Sequence, residues 1–108
     1  MTALGLPGVV FRPTCFTPMV NKHAGEVCNG VELHITDRET YRPFATMLHM
    51  FNHFKTYPEF ECRRAGLSLR MGQDVLADDY DPDRLLRENA DALARYCESA
   101  EKYRIYHV

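Results

Sequence analysis

Two stretches near the start of the chain have the hydrophobic pattern of β-strands. Residues 8–16, GVVFRPTCF, are rich in β-branched and aromatic side chains, and Pro13 among them favours an edge position or a bulge. Residues 30–37, GVELHITD, alternate apolar and polar side chains, which is typical of a half-buried strand. Residues 21–30 hold glycine and asparagine among charged groups, so they are predicted to form a surface loop.

Two later segments space their apolar residues as helices do. Pro43 begins the first segment, since proline at the first helical position lacks an N–H that would be unpaired there anyway. Its apolar stripe consists of Phe44, Met47, Leu48, Phe51 and Phe54. Two histidines four residues apart, His49 and His53, are expected on the opposite, solvated face of this helix.

The second helical segment begins at Asp81-Pro82, with the aspartate as N-cap and the proline in the first turn. Its apolar stripe consists of Leu86, Ala90, Leu93, Cys97 and Ala100. The aromatic and aliphatic side chains that follow this helix are expected to pack back on the sheet, and they are Tyr103, Ile105 and Tyr106.

The segment between the helices has the weakest pattern. Short strands at 60–63 and 67–69 and a helical turn at 73–77 are expected there. Strands and helices do not alternate regularly along the chain, and this favours the α+β class. The sequence therefore predicts a small mixed sheet packed by two main helices, at about 43–55 and 82–102.

Length and composition indicate a single folded domain over residues 1–108. Hydrophobic residues make up 45% and charged residues 26% of the chain, close to globular averages. The net charge is -2 with scattered basic residues, so neither nucleic acid nor a membrane is expected as a partner. The opening MTALGLPGVVFRP has no visible signal peptide, and the compartment is left open.

Cysteine and histidine residues are concentrated early in the chain but are not spaced like a metal site. Zinc sites rest on close ligand pairs, and none occurs in the series Cys15, His23, Cys28 and His34. A catalytic cysteine would need a strand-turn-helix elbow, which neither early cysteine has. Free thiols are favoured, and the residues themselves predict no catalytic group, cofactor or metal, although a metal-binding module stays as a weaker alternative.

The first strand-loop-strand segment resembles the NamZ-type exo-β-N-acetylmuramidase family, formerly a bacterial family of unknown function, and specifically its C-terminal domain. The closing EKYRIY is similar to the tyrosine-rich end of that domain. The motifs that carry the resemblance are concentrated in residues 8–44. They are Gly8, Phe11, Arg12, Pro13, Phe16, Pro18, Lys22, Ala24, Gly25, Cys28, Gly30, Val31, His34, Thr36, Asp37, Arg38 and Pro43.

This resemblance implies a domain that is not catalytic alone. Members of the family carry their catalytic carboxylates on an N-terminal Rossmann-like domain, which is absent here, and the smaller domain closes a cleft over it. These enzymes release N-acetylmuramic acid from peptidoglycan fragments and are often extracytoplasmic. The implied partners are that N-terminal domain, in the same or a separate chain, and a saccharide containing muramic acid.

The resemblance also gives the polar residues of residues 8–44 a candidate role in binding the saccharide. The lactyl carboxylate would take a charge-assisted hydrogen bond from Arg12, Lys22 or Arg38. The candidates for hydrogen bonds to sugar hydroxyls in the loop are Thr17, His23 and Asn29. A further candidate is His34, which is expected on the polar face of the returning strand. The alternative is that the arginines pair with acids of the domain and the loop residues only shape the backbone.

A second function is left open beside the accessory role. Met1 stands directly before the domain, as in an independent reading frame, and this favours a free-standing interaction or carbohydrate-binding module.

Overall fold

The computed structural model describes residues 4–77 and 79–106. Two strands are followed by three helices: β1 (Val9–Phe16), β2 (Cys28–Ile35), α1 (Pro43–Phe54), α2 (Arg64–Met71) and α3 (Pro82–Glu101). The α+β class is confirmed, and each predicted main helix ends within one residue of its expected position. The chain divides into two compact units, Met1–Thr46 and Met47–Val108.

The first unit contains an antiparallel β-hairpin. Val9 pairs with Ile35 at its base, and Phe16 pairs with Cys28 next to the loop. The sheet was expected to be mixed, but in the part of the chain that the structure describes it consists of these two antiparallel strands. Successive strands joined by a short loop pair in this way, whereas a parallel pair needs a long crossover connection.

The two faces of the hairpin follow from its register. Val9 and Phe11 on β1 are buried and lie on the same face as Ile35 and Leu33 on β2. Ile35 is nevertheless 52% exposed, so the expected half-buried character of the second strand is weaker than its alternation predicted. On the other face, the ring of Phe16 lies over Gly30, where a Cβ would come within 2.7 Å of Cε1.

Gly8 fixes the base of the hairpin. Its φ of +72° is a conformation that glycine adopts without steric cost, and its carbonyl accepts hydrogen bonds from the backbone N–H groups of Thr36 and Asp37. The backbone N–H of Tyr41 donates to the carbonyl of Asp37, and a side-chain oxygen of Asp37 accepts from the N–H of Glu39. The chain is therefore held closely together where it leaves the hairpin.

The second unit has its own hydrophobic core. Leu48 of α1 is completely buried, and its buried neighbours are Val75, Leu76 and Leu85. The side chains that surround this cluster are partly buried, and they are Phe51, Phe60, Leu67, Met71, Tyr80 and Leu86. The amphipathic stripe of α1 therefore packs as its spacing predicted, at Leu48 and Phe51.

The region between the main helices differs from the prediction. Residues 67–69 lie in α2 and residues 60–63 form no strand, so the two predicted short strands are wrong. The reason is that Leu67 and Met71, four residues apart, pack together on the core as one helical face, and Gly72 ends the helix in the left-handed conformation. At 73–77 the structure forms a turn, in which the N–H of Ala77 donates to the carbonyl of Asp74.

The two histidines of α1 have protein partners. Nε2 of His49 lies 3.1 Å from Oδ1 of Asp83, and the histidine side chain is only 18% exposed. Nε2 of His53 lies 3.3 Å from the hydroxyl of Tyr57. The predicted solvated face is therefore wrong for His49, because the start of α3 covers it.

The long helix α3 is capped as predicted. The side chain of Asp81 accepts from the N–H of Asp83, and Pro82 occupies the first turn. Beyond the helix, the side chains of Tyr103, Ile105 and Tyr106 are exposed, so the expected packing of this segment on the sheet is wrong.

All four cysteines are free thiols, as favoured from the sequence. No helix in the described part of the chain combines the length and the apolar character that crossing a membrane requires.

Candidate functional site

The hairpin and its connections carry all seven residues predicted to contact a saccharide. Each of them is exposed, and they are Arg12, Thr17, Lys22, His23, Asn29, His34 and Arg38. The structure distributes them over three places: the connecting loop, the middle of the strands and the base of the hairpin.

The middle group forms around a glutamate that the sequence did not single out as a binding residue. Arg12 is directly opposite Glu32 in the register, and their side chains approach to 3.8 Å. Nε2 of His34 lies 3.4 Å from the same carboxylate, because residues two apart on a strand share a face. Arg12, Glu32 and His34 therefore lie on one face of the hairpin, and the alternation of β2 was the available signal for this.

The connecting loop has a defined backbone. Asn21 and His23 have φ values of 65° and 62°, and Gly25 has a φ of 81°. The N–H of Gly25 donates to the carbonyl of Pro18 at 2.9 Å, which closes the loop. Nδ1 of His23 lies 2.9 Å from Oε2 of Glu26, so the imidazole is oriented by a neighbour within the loop.

Asn29 and Arg38 are separated from the middle group. The thiol of Cys15 donates to Oδ1 of Asn29 at 3.0 Å, and this pair lies on the face opposite Glu32, next to the loop. Arg38 follows the other end of β2, and an eight-residue strand is about 26 Å long at the usual rise per residue. One sugar cannot contact both Arg38 and the loop, so the loop and the middle group form the candidate site.

Apolar side chains accompany the polar ones at the loop. Met19 is 88% exposed, and Val20, Val27 and Phe16, in or next to the loop, are also exposed. Exposed large apolar side chains that form a contiguous patch mark surfaces that contact another molecule. The sequence prediction missed this feature, although MV and EV within the loop are visible in the sequence.

The carboxylates of the hairpin are exposed to water. A general acid of glycoside hydrolysis keeps its proton because its carboxyl is shielded from water. The side chains of Glu26 and Glu32 are 68% and 53% exposed, and each lies beside a histidine. Among the described residues, no three His, Cys, Asp or Glu side chains are grouped so that they could hold a metal ion.

The second unit has a groove of about 510 Å³. Its cationic groups are already engaged: Nζ of Lys55 donates to the carbonyl of Ala77 at 2.8 Å, and Arg64 pairs with Asp74 at 2.8 Å. The two cationic side chains that line the groove, Lys55 and Arg64, are therefore less available to a ligand.

The fold and the hairpin define a class of small α+β domain with exposed polar and apolar side chains on a two-stranded hairpin. Residues 1–106 match the family described as exo-beta-N-acetylmuramidase NamZ, C-terminal, and the chain belongs to this family. The resemblance inferred from residues 8–44 is thus confirmed.

A named relative supports the same assignment. Over 113 residues the chain is 29% identical to the peptidoglycan beta-N-acetylmuramidase NamZ of Bacillus subtilis (strain 168). The alignment covers 98% of this chain and 27% of the relative, so the chain spans about a quarter of the length of the relative. No solved structure matches the chain.

Proposed function

We propose that this chain is the accessory, substrate-side domain of an exo-β-N-acetylmuramidase that acts on peptidoglycan, and that it does not hydrolyse glycosides alone. The observation that carries this proposal is the extent of the similarity. The whole chain matches the C-terminal family, but it aligns with only 27% of a relative named as a peptidoglycan muramidase. The remaining length of such enzymes has room for the catalytic apparatus.

The exposure of the hairpin carboxylates supports the non-catalytic role. Glu26 and Glu32 are both open to water, and their carboxylates lie beside histidine or arginine side chains. Such groups position other side chains or bind hydroxyls, and they lack the shielding that a proton donor of hydrolysis needs.

The polar side chains of the hairpin suit a muramic-acid-containing saccharide. N-acetylmuramic acid carries a lactyl carboxylate, and a guanidinium binds such a group through two parallel hydrogen bonds. Arg12 is suited to this role because its contact with Glu32 is long, 3.8 Å, and its side chain is 71% exposed. Sugar hydroxyls would then contact His34 on the same face, with Thr17, Lys22 and His23 in the loop beyond.

The proposed partner is an N-terminal catalytic domain, in the same or a separate chain. The saccharide would lie in a cleft between that domain and the hairpin, with the loop as one rim. The exposed apolar side chains of Met19, Val20 and Val27 support this arrangement, because they provide contact area beside the polar groups.

Two measurements test the proposal. The purified chain should not turn over a chromogenic N-acetylmuramic acid glycoside, and turnover would refute the accessory role.

In a titration followed by amide NMR, N-acetylmuramic acid should shift hairpin resonances more than N-acetylglucosamine, which lacks the lactyl group. Arg12→Gln should abolish this difference, whereas the matched variant Arg38→Gln at the hairpin base should preserve it. Equal shifts for both sugars would contradict the carboxylate role.

A free-standing interaction or carbohydrate-binding module is the second candidate. The exposed loop favours it, since the hairpin offers its surface without any catalytic domain. The coding region upstream of this chain separates the candidates: an adjoining Rossmann-like domain supports the accessory role, and its absence supports the free-standing module.

A further inference from the structure

Helix α3 is anchored to the core of its unit only at its start. Pro82 and Leu85 are buried and Leu86 is partly buried. Every residue from Arg87 to Ser99 is exposed. More than half of a 20-residue helix therefore extends without packing on the described core of its own unit.

The exposed part of α3 is amphipathic. Its apolar residues recur at helical spacing on one side, and they are Leu93, Tyr96, Cys97 and Ala100. Together with Tyr103, which follows directly after the helix, we call them the α3 face. The opposite side carries the charges Asp91, Arg95, Glu98 and Lys102. This separation of apolar and charged residues is the pattern of a helix that buries one side.

The α3 face leaves large side chains in water. Leu93, Tyr96 and Tyr103 are 63%, 69% and 75% exposed, and the thiol-bearing Cys97 is also exposed. In water, most helical stability comes from packing an apolar face rather than from intrinsic propensity. A contiguous exposed apolar surface of this kind marks an interaction site.

We propose that the α3 face docks onto the N-terminal domain that precedes this domain in NamZ-family proteins. This inference rests on the proposed function, because that function supplies the partner. The chain accounts for 27% of the length of the Bacillus subtilis relative, so most of such a protein lies outside the C-terminal domain. Contacts between domains of one protein are more polar than obligate interfaces, and tyrosine is enriched at interfaces. Tyr96 and Tyr103 give the α3 face this character.

A second copy of the chain suits the α3 face less well. Two paired helices need apolar residues at both core positions of each heptad. In α3 the apolar residues repeat on alternating four- and three-residue steps, so one position would hold Leu86, Leu93 and Ala100 and the other Ala90 and Cys97. Three of these five side chains are small, whereas a two-stranded coiled coil is built on large apolar side chains at both positions. Tyr96 and Tyr103 would lie outside that seam.

Thiol labelling provides the first test. The partner polypeptide is the part of the Bacillus subtilis relative that precedes its C-terminal domain, and the relative's own C-terminal domain is the positive control for binding. Cys97 and Cys62 are both exposed in the chain alone, so both should react with a maleimide. The partner should protect Cys97 at least about tenfold and leave Cys62 reactive. Protection of neither thiol in the bound complex would overturn the proposal, as would failure of this chain to bind when the control binds.

Matched variants provide the second test. Leu93→Asp places a charge on the α3 face and should weaken binding at least about tenfold. Ser99→Asp adds the same charge off the face and should change affinity less than about twofold. Both side chains are exposed, so circular dichroism should show the same helix content in each variant. Equal affinities for the two variants would contradict the docking role.

Two controls separate this inference from the proposed function. Leu93→Asp should leave the hairpin's NMR response to N-acetylmuramic acid unchanged. If the wild-type chain and Leu93→Asp bind the partner equally well, this inference is refuted and the proposed function is not. If the wild-type chain does not bind the partner at all, the proposed function also loses the N-terminal domain as its partner. Sedimentation of the chain alone should give a monomer; a dimer that Leu93→Asp dissociates would assign the α3 face to a second copy.

Discussion

Gly8→Ala is expected to destabilise the base of the hairpin, because this glycine combines a left-handed backbone with close backbone neighbours. A Cβ at Gly8 would lie 2.5 Å from the carbonyl oxygen of Asp37 and 2.6 Å from the nitrogen of Tyr41. Both are backbone atoms, so no side-chain rotation can relieve the clash. Gly25 is a matched control, since its φ is +81° but a Cβ there would meet nothing within 4 Å.

The comparison separates two energetic costs. Alanine in the left-handed region costs about 1–2 kcal/mol, and the reduced entropy of the unfolded chain offsets about 0.4–1 kcal/mol of this. Gly25→Ala should therefore lower the free energy of unfolding by about 1 kcal/mol. At Gly8 the same cost is joined by overpacking of about 1–3 kcal/mol, which gives about 2–4 kcal/mol in total.

Urea unfolding followed by far-UV circular dichroism measures both variants, and amide hydrogen exchange locates the change. The N–H of Thr36 donates to the carbonyl of Gly8 at 2.9 Å, so its protection should fall in Gly8→Ala and persist in Gly25→Ala. Equal losses of stability in the two variants would refute the reasoning, since they would show that the close approach of the backbone has no energetic consequence.

Three further predictions concern the second unit. Leu48→Ala removes a completely buried side chain and should lower the free energy of unfolding by about 2–5 kcal/mol, seen as a lower urea midpoint. Asp81→Ala removes the N-cap of α3 and should cost about 1 kcal/mol; an unchanged urea midpoint would contradict the capping role. Tyr80→Phe should be neutral or stabilising, because the buried hydroxyl has no hydrogen-bond partner among the described residues. Burial, with the charge of Asp81 second, raises the pKa of Tyr80, so the folded state holds its proton more tightly than the unfolded state. Stability should therefore fall as the pH rises above the ordinary tyrosine value of 10.0, and less so in Tyr80→Phe.

Local signals made the hairpin and the two main helices predictable. Alternation of side chains identified β2, and Pro43 and Asp81-Pro82 marked helix starts whose chemistry depends on neighbouring residues alone. The region around α2 was not predictable in this way. Over such a short segment, its apolar residues fit both the two-residue period of a strand and the 3.6-residue period of a helix. Packing on Leu48, which is distant in sequence, favours the helix.

The sequence named candidate binding residues but did not predict their arrangement. The register of the hairpin brings Arg12 and His34 to one carboxylate, Glu32, and removes Arg38 to the far end of the strand. Register depends on pairing between strands, which a pattern along one strand does not contain. The pair of His23 and Glu26 depends instead on the backbone of the loop, in which His23 has a positive φ, and the sequence does not predict that conformation.

The stripe of α3 illustrates a different limit of sequence reasoning. The spacing of Leu93, Cys97 and Ala100 indicates correctly that one side of the helix is apolar, but it does not say what covers that side. The usual inference is burial within the domain, and here Leu93 and Cys97 are exposed. The docking proposal assigns this apolar side of the helix to a surface outside its own unit. The proposed saccharide-binding residues belong to the first unit and the α3 face to the second. Arg12→Gln and Leu93→Asp should therefore affect saccharide binding and docking separately. Loss of both activities in either variant, with an unchanged circular dichroism spectrum, would contradict this separation.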